Sequence, residues 1–321
     1  MSKGKILVIR GGAIGDFILT LPALAALRNQ FSEAHLEVLG YPHIAQLALI
    51  GGLVDRVQAI EARALAGFFA RNGELAEDLR DYFSGFNIIV SYLYDPDEIF
   101  QANVKRCSAA QFIVGPHRPD ESERIPAAKV FLKPLERLAI FDADAVPRIN
   151  LLGTRSTASQ TLENSEEASG DAVERVPTVA FHPGSGSERK NWPEAKWSEL
   201  SLKLANETKL NLLLVGGEAE GERLARLAAK LPAGRCEIIQ RIPLREVAVR
   251  LKSCAAFVGH DSGISHLASA LGLPCLVLWP HTIEEIWRPP GERVIVVKEI
   301  AGIHNLSVQR VADELKRILP T

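Results

Sequence analysis

The sequence predicts an α/β protein built from two parallel-sheet domains, and three observations carry that prediction. Short apolar runs alternate with stretches of helical spacing along the whole chain. A glycine-bearing turn joins strand to helix once in the first half and twice in the second. The alternation lapses over one segment, which is rich in Ser, Thr, Glu and Ala and nearly free of large apolar side chains.

The first half opens with an apolar strand, Lys5 to Arg10. The turn Gly11-Gly12-Ala13-Ile14-Gly15-Asp16 follows, then a helical run through Ile18, Leu21, Leu24, Leu27 and Arg28. Pro22 lies in the early turns of that helix, where a missing N–H costs least. Asp16 has two readings: a helix-capping carboxylate, or one held at the carboxyl edge of the sheet and free to take a proton from a substrate hydroxyl. The turn is not a dinucleotide fingerprint. Arg10 stands where G-x-G-x-x-G needs its first glycine, and the second strand, His35 to Leu39, ends in Gly40 and Tyr41 rather than an acid. An NAD-dependent dehydrogenase is disfavoured on that ground.

A short helix near Ile44 to Leu49 and a strand near Arg56 to Ile60 come next. Residues 62–83 are expected to form one amphipathic helix, with Leu65, Phe68, Phe69, Leu75, Leu79 and Phe83 on its apolar side. Such a stripe reads as core, and with Arg63, Arg71 and Arg80 nearby it also suits an amphiphilic acceptor or a membrane surface. The strand Asn87 to Leu93 ends at Tyr94-Asp95-Pro96-Asp97. Asp95 and Asp97 are spaced to share a divalent ion, but a turn is the expected reading. Strand Gln111 to Val114 and a helix from Ala128 to Ile140 close this half.

The low-complexity segment sets the boundaries: an N-terminal domain over 1–153, a linker over 154–177, and a C-terminal domain over 178–321 whose last helix is expected to pack back on the N-terminal one. The second half restarts at Thr178 to Phe181 and leads into His182-Pro183-Gly184-Ser185-Gly186-Ser187-Glu188-Arg189-Lys190-Asn191-Trp192-Pro193. This is an anion-ready turn before a helix expected to begin at Pro193. Ser185 and Ser187 offer hydroxyls, and Lys190 offers a point charge suited to phosphate or else a plain solvated lysine. Strand Leu210 to Val215 ends at Gly216-Gly217-Glu218. There Glu218 can accept hydrogen bonds from a ribose or base, or simply start the helix Glu220 to Leu231. Strand Glu237 to Gln240 and helix Pro243 to Lys252 follow.

The run Ala255 to Val258, the loop Gly259-His260-Asp261-Ser262-Gly263, a helix through Ile264, Leu267, Ala268 and Leu271, and the strand Cys275 to Trp279 form a βαβ unit. Gly272 is expected as a left-handed cap. The unit puts Asp261, Ser262 and Gly263 at the carboxyl edge of a parallel sheet, where a helix N-terminus can take a phosphate; simple N-capping is the local alternative. Strand Val294 to Val297 precedes a final helix capped by Ser307, with Val308, Val311, Leu315 and Ile318 on one side.

At 321 residues the chain has room for about two cores. A formal charge of −2, with acids and bases interspersed, argues against a nucleic-acid partner. No apolar run reaches the roughly 20 residues of a membrane span. No signal-peptide pattern precedes the first strand, so a cytoplasmic address is expected. Cys107, Cys236, Cys254 and Cys275 lack C-x-x-C spacing and are expected to be buried free thiols.

Taken together, R-G-G-A-I-G-D-F-I-L-T-L-P, H-P-G-S-G-S-E-R-K-N-W-P and G-H-D-S-G-I-S-H-L-A-S-A-L-G-L-P resemble the ADP-heptose:lipopolysaccharide heptosyltransferase family, glycosyltransferase family 9, over nearly the whole chain. The resemblance implies a GT-B fold, two Rossmann-like domains with parallel sheets facing across a cleft, with donor in the C-terminal domain and acceptor in the N-terminal one. It implies Asp16 as the base, Lys190 on phosphate, Asp261, Ser262, Gly263 and His266 as the donor loop, and Glu218 as the nucleotide-side acid. Two departures stand out: Pro280-His281-Thr282 replaces a glycine-bearing turn, although Thr282, Trp287 and Pro289 keep the pattern, and the strand before Tyr94 lacks an acidic D-L-Q-G ending.

The expected reaction is inverting transfer of a heptose or related sugar from a nucleotide diphosphate sugar, ADP-heptose by resemblance, to a lipopolysaccharide-type saccharide. No cofactor or metal is expected. The implied partners are the nucleotide sugar, a saccharide or lipid-linked acceptor, and peripherally the inner membrane. The alternative is a GT-B nucleotide-sugar-binding protein or epimerase that transfers nothing.

Overall fold

A computed structural model describes residues 4–151, 176–217 and 220–319. Glu218 and all but the last two residues of the expected linker lie outside the described residues. The chain divides into two compact units: Met1–Ile149 together with Glu285–Trp287, and Asn150–Glu284 together with Arg288–Thr321.

The first unit contains β1 (Lys5–Arg10), α1 (Ile14–Gln30), β2 (His35–Gly40), α2 (Pro42–Ile50), β3 (Arg56–Ala59), α3 (Glu77–Ser84), β4 (Ile88–Ser91), α4 (Ile99–Lys105), β5 (Gln111–Val114) and α5 (Ala127–Leu132). Its strands lie in the order β3-β2-β1-β4-β5, all parallel. Strands covered by helices on both faces need continuous apolar runs, and Ile6 to Ile9 are buried without a break. Gly12 turns the chain from β1 into α1 with φ +99°, a conformation open to glycine at little cost. Glu285–Trp287 join this unit through Arg118, whose guanidinium lies 5.2 Å from the Trp287 ring, and through the Trp287 Nε1–H, which donates to Glu121.

The expected single helix over 62–83 is a correction. A 3-10 turn spans Arg63–Phe69, the chain bends, and α3 starts only at Glu77. The bend has three causes. Asn72 adopts φ 53°, a Cβ on Gly67 or Gly73 would collide with backbone across the turn, and the buried Asn103 amide donates to the carbonyls of Phe68 and Ala70. The apolar stripe is still core: Leu65, Phe68, Leu79 and Phe83 pack with Phe100 and Val104. The helix expected through Ile140 likewise ends as α5 at Leu132 and tightens into a 3-10 turn at Pro134, whose ring cannot continue the α-helical ladder.

The second unit contains β6 (Thr178–His182), α6 (Glu194–Glu207), β7 (Asn211–Gly216), α7 (Gly221–Ala228), β8 (Cys236–Gln240), α8 (Leu244–Lys252), β9 (Ala256–His260), α9 (Gly263–Ala270), β10 (Cys275–Leu278), α10 (Glu284–Trp287, shared with the first unit), β11 (Val294–Val297) and α11 (Val308–Ile318). Its sheet runs β11-β10-β9-β6-β7-β8, again all parallel. Gly272 has φ +81° after α9.

The last helix belongs to the second unit. Its stripe Val308, Val311, Ala312 and Leu315 joins Trp197, Leu200 and Leu204 of α6 in the second unit's core. Among the described residues no helix is long and apolar enough to cross a membrane. Only Cys275 is fully buried; Cys107, Cys236 and Cys254 sit at element ends and are half-buried, which corrects the expectation of four buried thiols. All four thiols are free, and burial pushes those of Cys236 and Cys254 up to about 11 and about 12, which keeps them protonated and poor nucleophiles at neutral pH.

Candidate active site

Both sheets are doubly wound. In the first the strand order reverses between β1 and β4, and in the second between β6 and β9. Ligands of open α/β sheets bind at the carboxyl ends of strands flanking such a reversal. The loops that matter are therefore those after β1 and β4 in one unit, and after β6 and β9 in the other. Most of the residues singled out by sequence lie on three of these four.

After β1, Asp16 is the third residue of α1. Its Oδ2 accepts the Ala13 N–H at 3.2 Å, so it does cap the helix. Its side chain is nevertheless 31% exposed, so the capping carboxylate is open to solvent. A Cβ on Gly12 would lie 3.1 Å from Oδ2, tight enough to push the carboxylate aside.

Beneath Asp16 lies a residue that sequence noted only for spoiling a glycine pattern. The Arg10 side chain is 2% exposed; its Nη1 donates to the His117 carbonyl at 2.8 Å, its Nη2 donates to the Asp16 carbonyl at 3.2 Å, and Nη2 stands 3.9 Å from Asp16 Oδ1. The guanidinium lies 4.4 Å from the centre of the Phe131 ring. Burial lowers its proton affinity and Asp16 opposes that shift. Arg10 is thus fixed mainly by backbone carbonyls and the Phe131 ring, with the Asp16 carboxylate as a nearby counter-charge.

After β6, the loop 183–193 is braced from three sides. The buried His260 Nε2 accepts the Trp192 N–H at 2.8 Å, and its Nδ1–H donates to the Gly184 carbonyl at 3.3 Å, which fixes the tautomer. Burial pushes this imidazole down to about 3, so it is neutral throughout the physiological range. Arg223 of α7 donates to the Pro183 carbonyl and grips Glu188 at 2.8 and 2.9 Å. The Ser185 hydroxyl donates within the loop, to Asn191 Oδ1 at 2.7 Å and the Ser187 carbonyl at 2.9 Å, while Ser187 itself is exposed.

The loop brings Lys190 to the neighbouring strand. Its ammonium donates to Asp261 Oδ2 at 2.8 Å, and the Thr282 hydroxyl donates to the same oxygen at 2.8 Å. The lysine side chain is 35% exposed and the aspartate 10%, so the carboxylate anchors and the cation faces outward. An ammonium carries three donors, which leaves capacity for an anion. Ser262 N-caps α9, accepting the Ser265 N–H at 3.4 Å. Gly263 opens the helix, whose first N–H groups have no intrahelical partner. His266 is buried further along α9.

Two further residues belong to this group: Thr282, which sequence noted only as keeping a family pattern, and Glu220, which it noted only as a helix start. Thr282 completes the Asp261 cluster. Glu220, two positions beyond the expected Glu218, accepts the Gly217 N–H at 2.8 Å, and a Cβ on Gly184 would strike its carboxylate. The Gly184 loop is thus shaped around Glu220. Asp95 accepts the N–H groups of Phe100 at 3.1 Å and Gln101 at 2.9 Å at the start of α4, and Asp97 pairs with Arg71 at 3.5 Å. Both carboxylates thus have partners within the first unit. Among the described residues no group of three or more His, Cys, Asp or Glu side chains is placed to hold a metal.

Two doubly wound parallel-sheet units in one chain, one with an exposed carboxylate and the other with a cation beside a helix N-terminus, make a two-domain Rossmann-like protein, the architecture of the GT-B glycosyltransferases it resembles. Comparison with known proteins then gives the family. The family model described as glycosyltransferase family 9 (heptosyltransferase) matches residues 146–315, and the chain belongs to that family. It is 26% identical to lipopolysaccharide heptosyltransferase 1 of Pseudomonas aeruginosa over 291 residues, 87% of this chain and 79% of that one. Among solved structures it resembles the E. coli ADP-heptose lps heptosyltransferase II, with a TM-score of 0.76 at 18% identity over 98% of each chain. It also resembles the E. coli heptosyltransferase WaaC with ADP, with a TM-score of 0.72 at 19% identity over 98% of this chain and 99% of that one. At such identities the structural likeness speaks for the fold.

Proposed function

We propose that this glycosyltransferase moves a heptose from ADP-heptose to a saccharide hydroxyl of a lipopolysaccharide core, with inversion at the anomeric carbon. The observation that carries the reading is the Lys190–Asp261–Thr282 cluster beside the N-terminus of α9. A leaving diphosphate needs positive charge placed in advance, and the part-exposed Lys190 ammonium beside the positive end of the α9 dipole supplies it. The relatives named for lipopolysaccharide and the neighbour that holds ADP support the choice of donor and acceptor.

In the proposed step the acceptor oxygen forms a bond to the anomeric carbon as the bond from that carbon to the phosphate oxygen breaks. The electron pair leaves with ADP, and the acceptor proton passes to the Asp16 carboxylate. The site residues proposed are Asp16 as base, with Ser185, Ser187, Lys190, Asp261, Ser262, Gly263 and His266 on the donor side. Glu220 joins them on the nucleotide side; Glu218, which lies outside the described residues, is the other candidate for that role.

The test incubates the purified protein with ADP-heptose and heptose-deficient lipopolysaccharide and follows ADP release and the mass of the glycan. Thermal shift with ADP, UDP, GDP and NAD runs beside it. A ligand at 100 times its Kd adds about 2.7 kcal/mol, so ADP alone is expected to raise the Tm. Stabilisation by UDP or NAD but not ADP rejects the donor assignment, and ADP binding without transfer favours a nucleotide-sugar-binding protein.

A further inference from the structure

The loops after β4 and β5 carry a feature with no part in the proposed chemistry. Tyr94 is 70% exposed, yet its ring is not splayed into solvent: it lies against the His117 imidazole, with centroids 4.6 Å apart at an interplanar angle of 58°. The preceding residue Leu93 and Tyr41 of the loop after β2 flank Gly11, where a Cβ would lie 3.8 Å from the Tyr41 ring and 3.9 Å from Leu93. The loops after β1, β2 and β4 therefore converge at the β1–β4 reversal.

One guanidinium links this aromatic pair to Asp16. Arg10 Nη1 holds the His117 carbonyl at 2.8 Å and Arg10 Nη2 stands 3.9 Å from the Asp16 carboxylate. Because the guanidinium is planar, rigid and buried, the spacing between the His117 backbone and Asp16 is fixed rather than left to loop motion. An exposed aromatic ring resting on the residue that Arg10 ties to Asp16 presents a flat apolar face with negative π density. That face complements the C–H side of a pyranose ring, whose hydroxyls point outward around its rim.

We propose that Tyr94 and His117 form a stacking platform for a sugar ring of the acceptor, held in register with Asp16 by Arg10. The inference rests on the reading of the chain as a transferase with Asp16 as its base, and it adds an acceptor subsite on the opposite flank of the reversal from Asp16. The platform binds through ring stacking, so it tolerates changes in hydroxyl stereochemistry more readily than loss of the ring.

The test measures steady-state kinetics with ADP-heptose and de-O-acylated, heptose-deficient lipopolysaccharide for the wild type, Tyr94→Ala, Tyr94→Trp and His117→Ala. Tyr94→Ala is expected to raise the acceptor KM about tenfold, with kcat within threefold and the donor KM unchanged, while Tyr94→Trp keeps the wild-type acceptor KM within about threefold. An unchanged acceptor KM in Tyr94→Ala overturns the platform, and so does an equal rise in donor KM. If the wild type transfers no heptose, the functional reading has failed and the platform is judged separately by saturation-transfer NMR with the same oligosaccharide. Transfer to sugar ring protons that disappears in Tyr94→Ala upholds it, and transfer that persists unchanged rejects it.

Discussion

The two strand-order reversals share a topology and differ in chemistry. In the first unit the loop after β1 is short, and it carries a single exposed carboxylate over a buried arginine. In the second the loop after β6 is long, pinned by His260, Arg223 and internal hydroxyls, and ends in a lysine paired across to the β9 loop. A parallel sheet supplies the same platform to both. What the chain hangs on it decides whether the edge presents a carboxylate or a cation.

The sharpest way to break this comparison is to remove the carboxylate. Asp16→Asn keeps a capping side chain, so the Tm is expected to stay within a few degrees, while kcat falls about 100-fold or more and the ADP thermal shift is unchanged. Full turnover in that variant would put the base elsewhere.

The complementary change is Lys190→Ala. It removes a charge-assisted contact worth about 1.5–3 kcal/mol, so ADP affinity measured by calorimetry is expected to fall roughly tenfold or more, a smaller effect than the first. If ADP affinity holds while acceptor KM rises, the division of labour between the two edges is reversed.

The smallest effect concerns the brace. His260 has an ordinary value of 6.5 and burial brings it down to about 3 in the folded chain. Between those values the unfolded chain binds a proton that the folded chain refuses. Stability is therefore undiminished above pH 6.5 and declines as the pH falls toward 3, by at most about 1.4 kcal/mol per pH unit. His182, also lowered by burial, acts in the same direction. His260→Gln retains a donor and an acceptor and is expected to flatten the decline in Tm between pH 6.5 and 4.5; an unaltered slope would locate it elsewhere.

The glycine turns, the alternation of elements and the donor-side motifs were legible because each is a local pattern: a strand, a small-residue turn and a helix start lie within about 15 residues. The family was legible for the same reason. Three things were not. Arg10 looks like any residue ending a strand, and its meaning comes from Phe131 and His117, more than 100 positions away. Glu220 and Glu218 are indistinguishable as acids ahead of a helix, and only the approach of Gly184 singles out Glu220. The break within residues 62–83 defeats periodicity because Asn103, on another element, satisfies the carbonyls that a continuous helix would have used.

The pairing of Lys190 with Asp261 has a consequence for the catalytic cycle. On the proposed reading, an arriving diphosphate meets an ammonium that keeps Asp261 on one donor and offers the others, so binding adds a second anion to a cation already partly screened. Affinity is moderated accordingly, and when ADP departs the cation still has its neighbour rather than only buffer ions. Product release is thereby eased by the same contact that readies the pocket for the next donor.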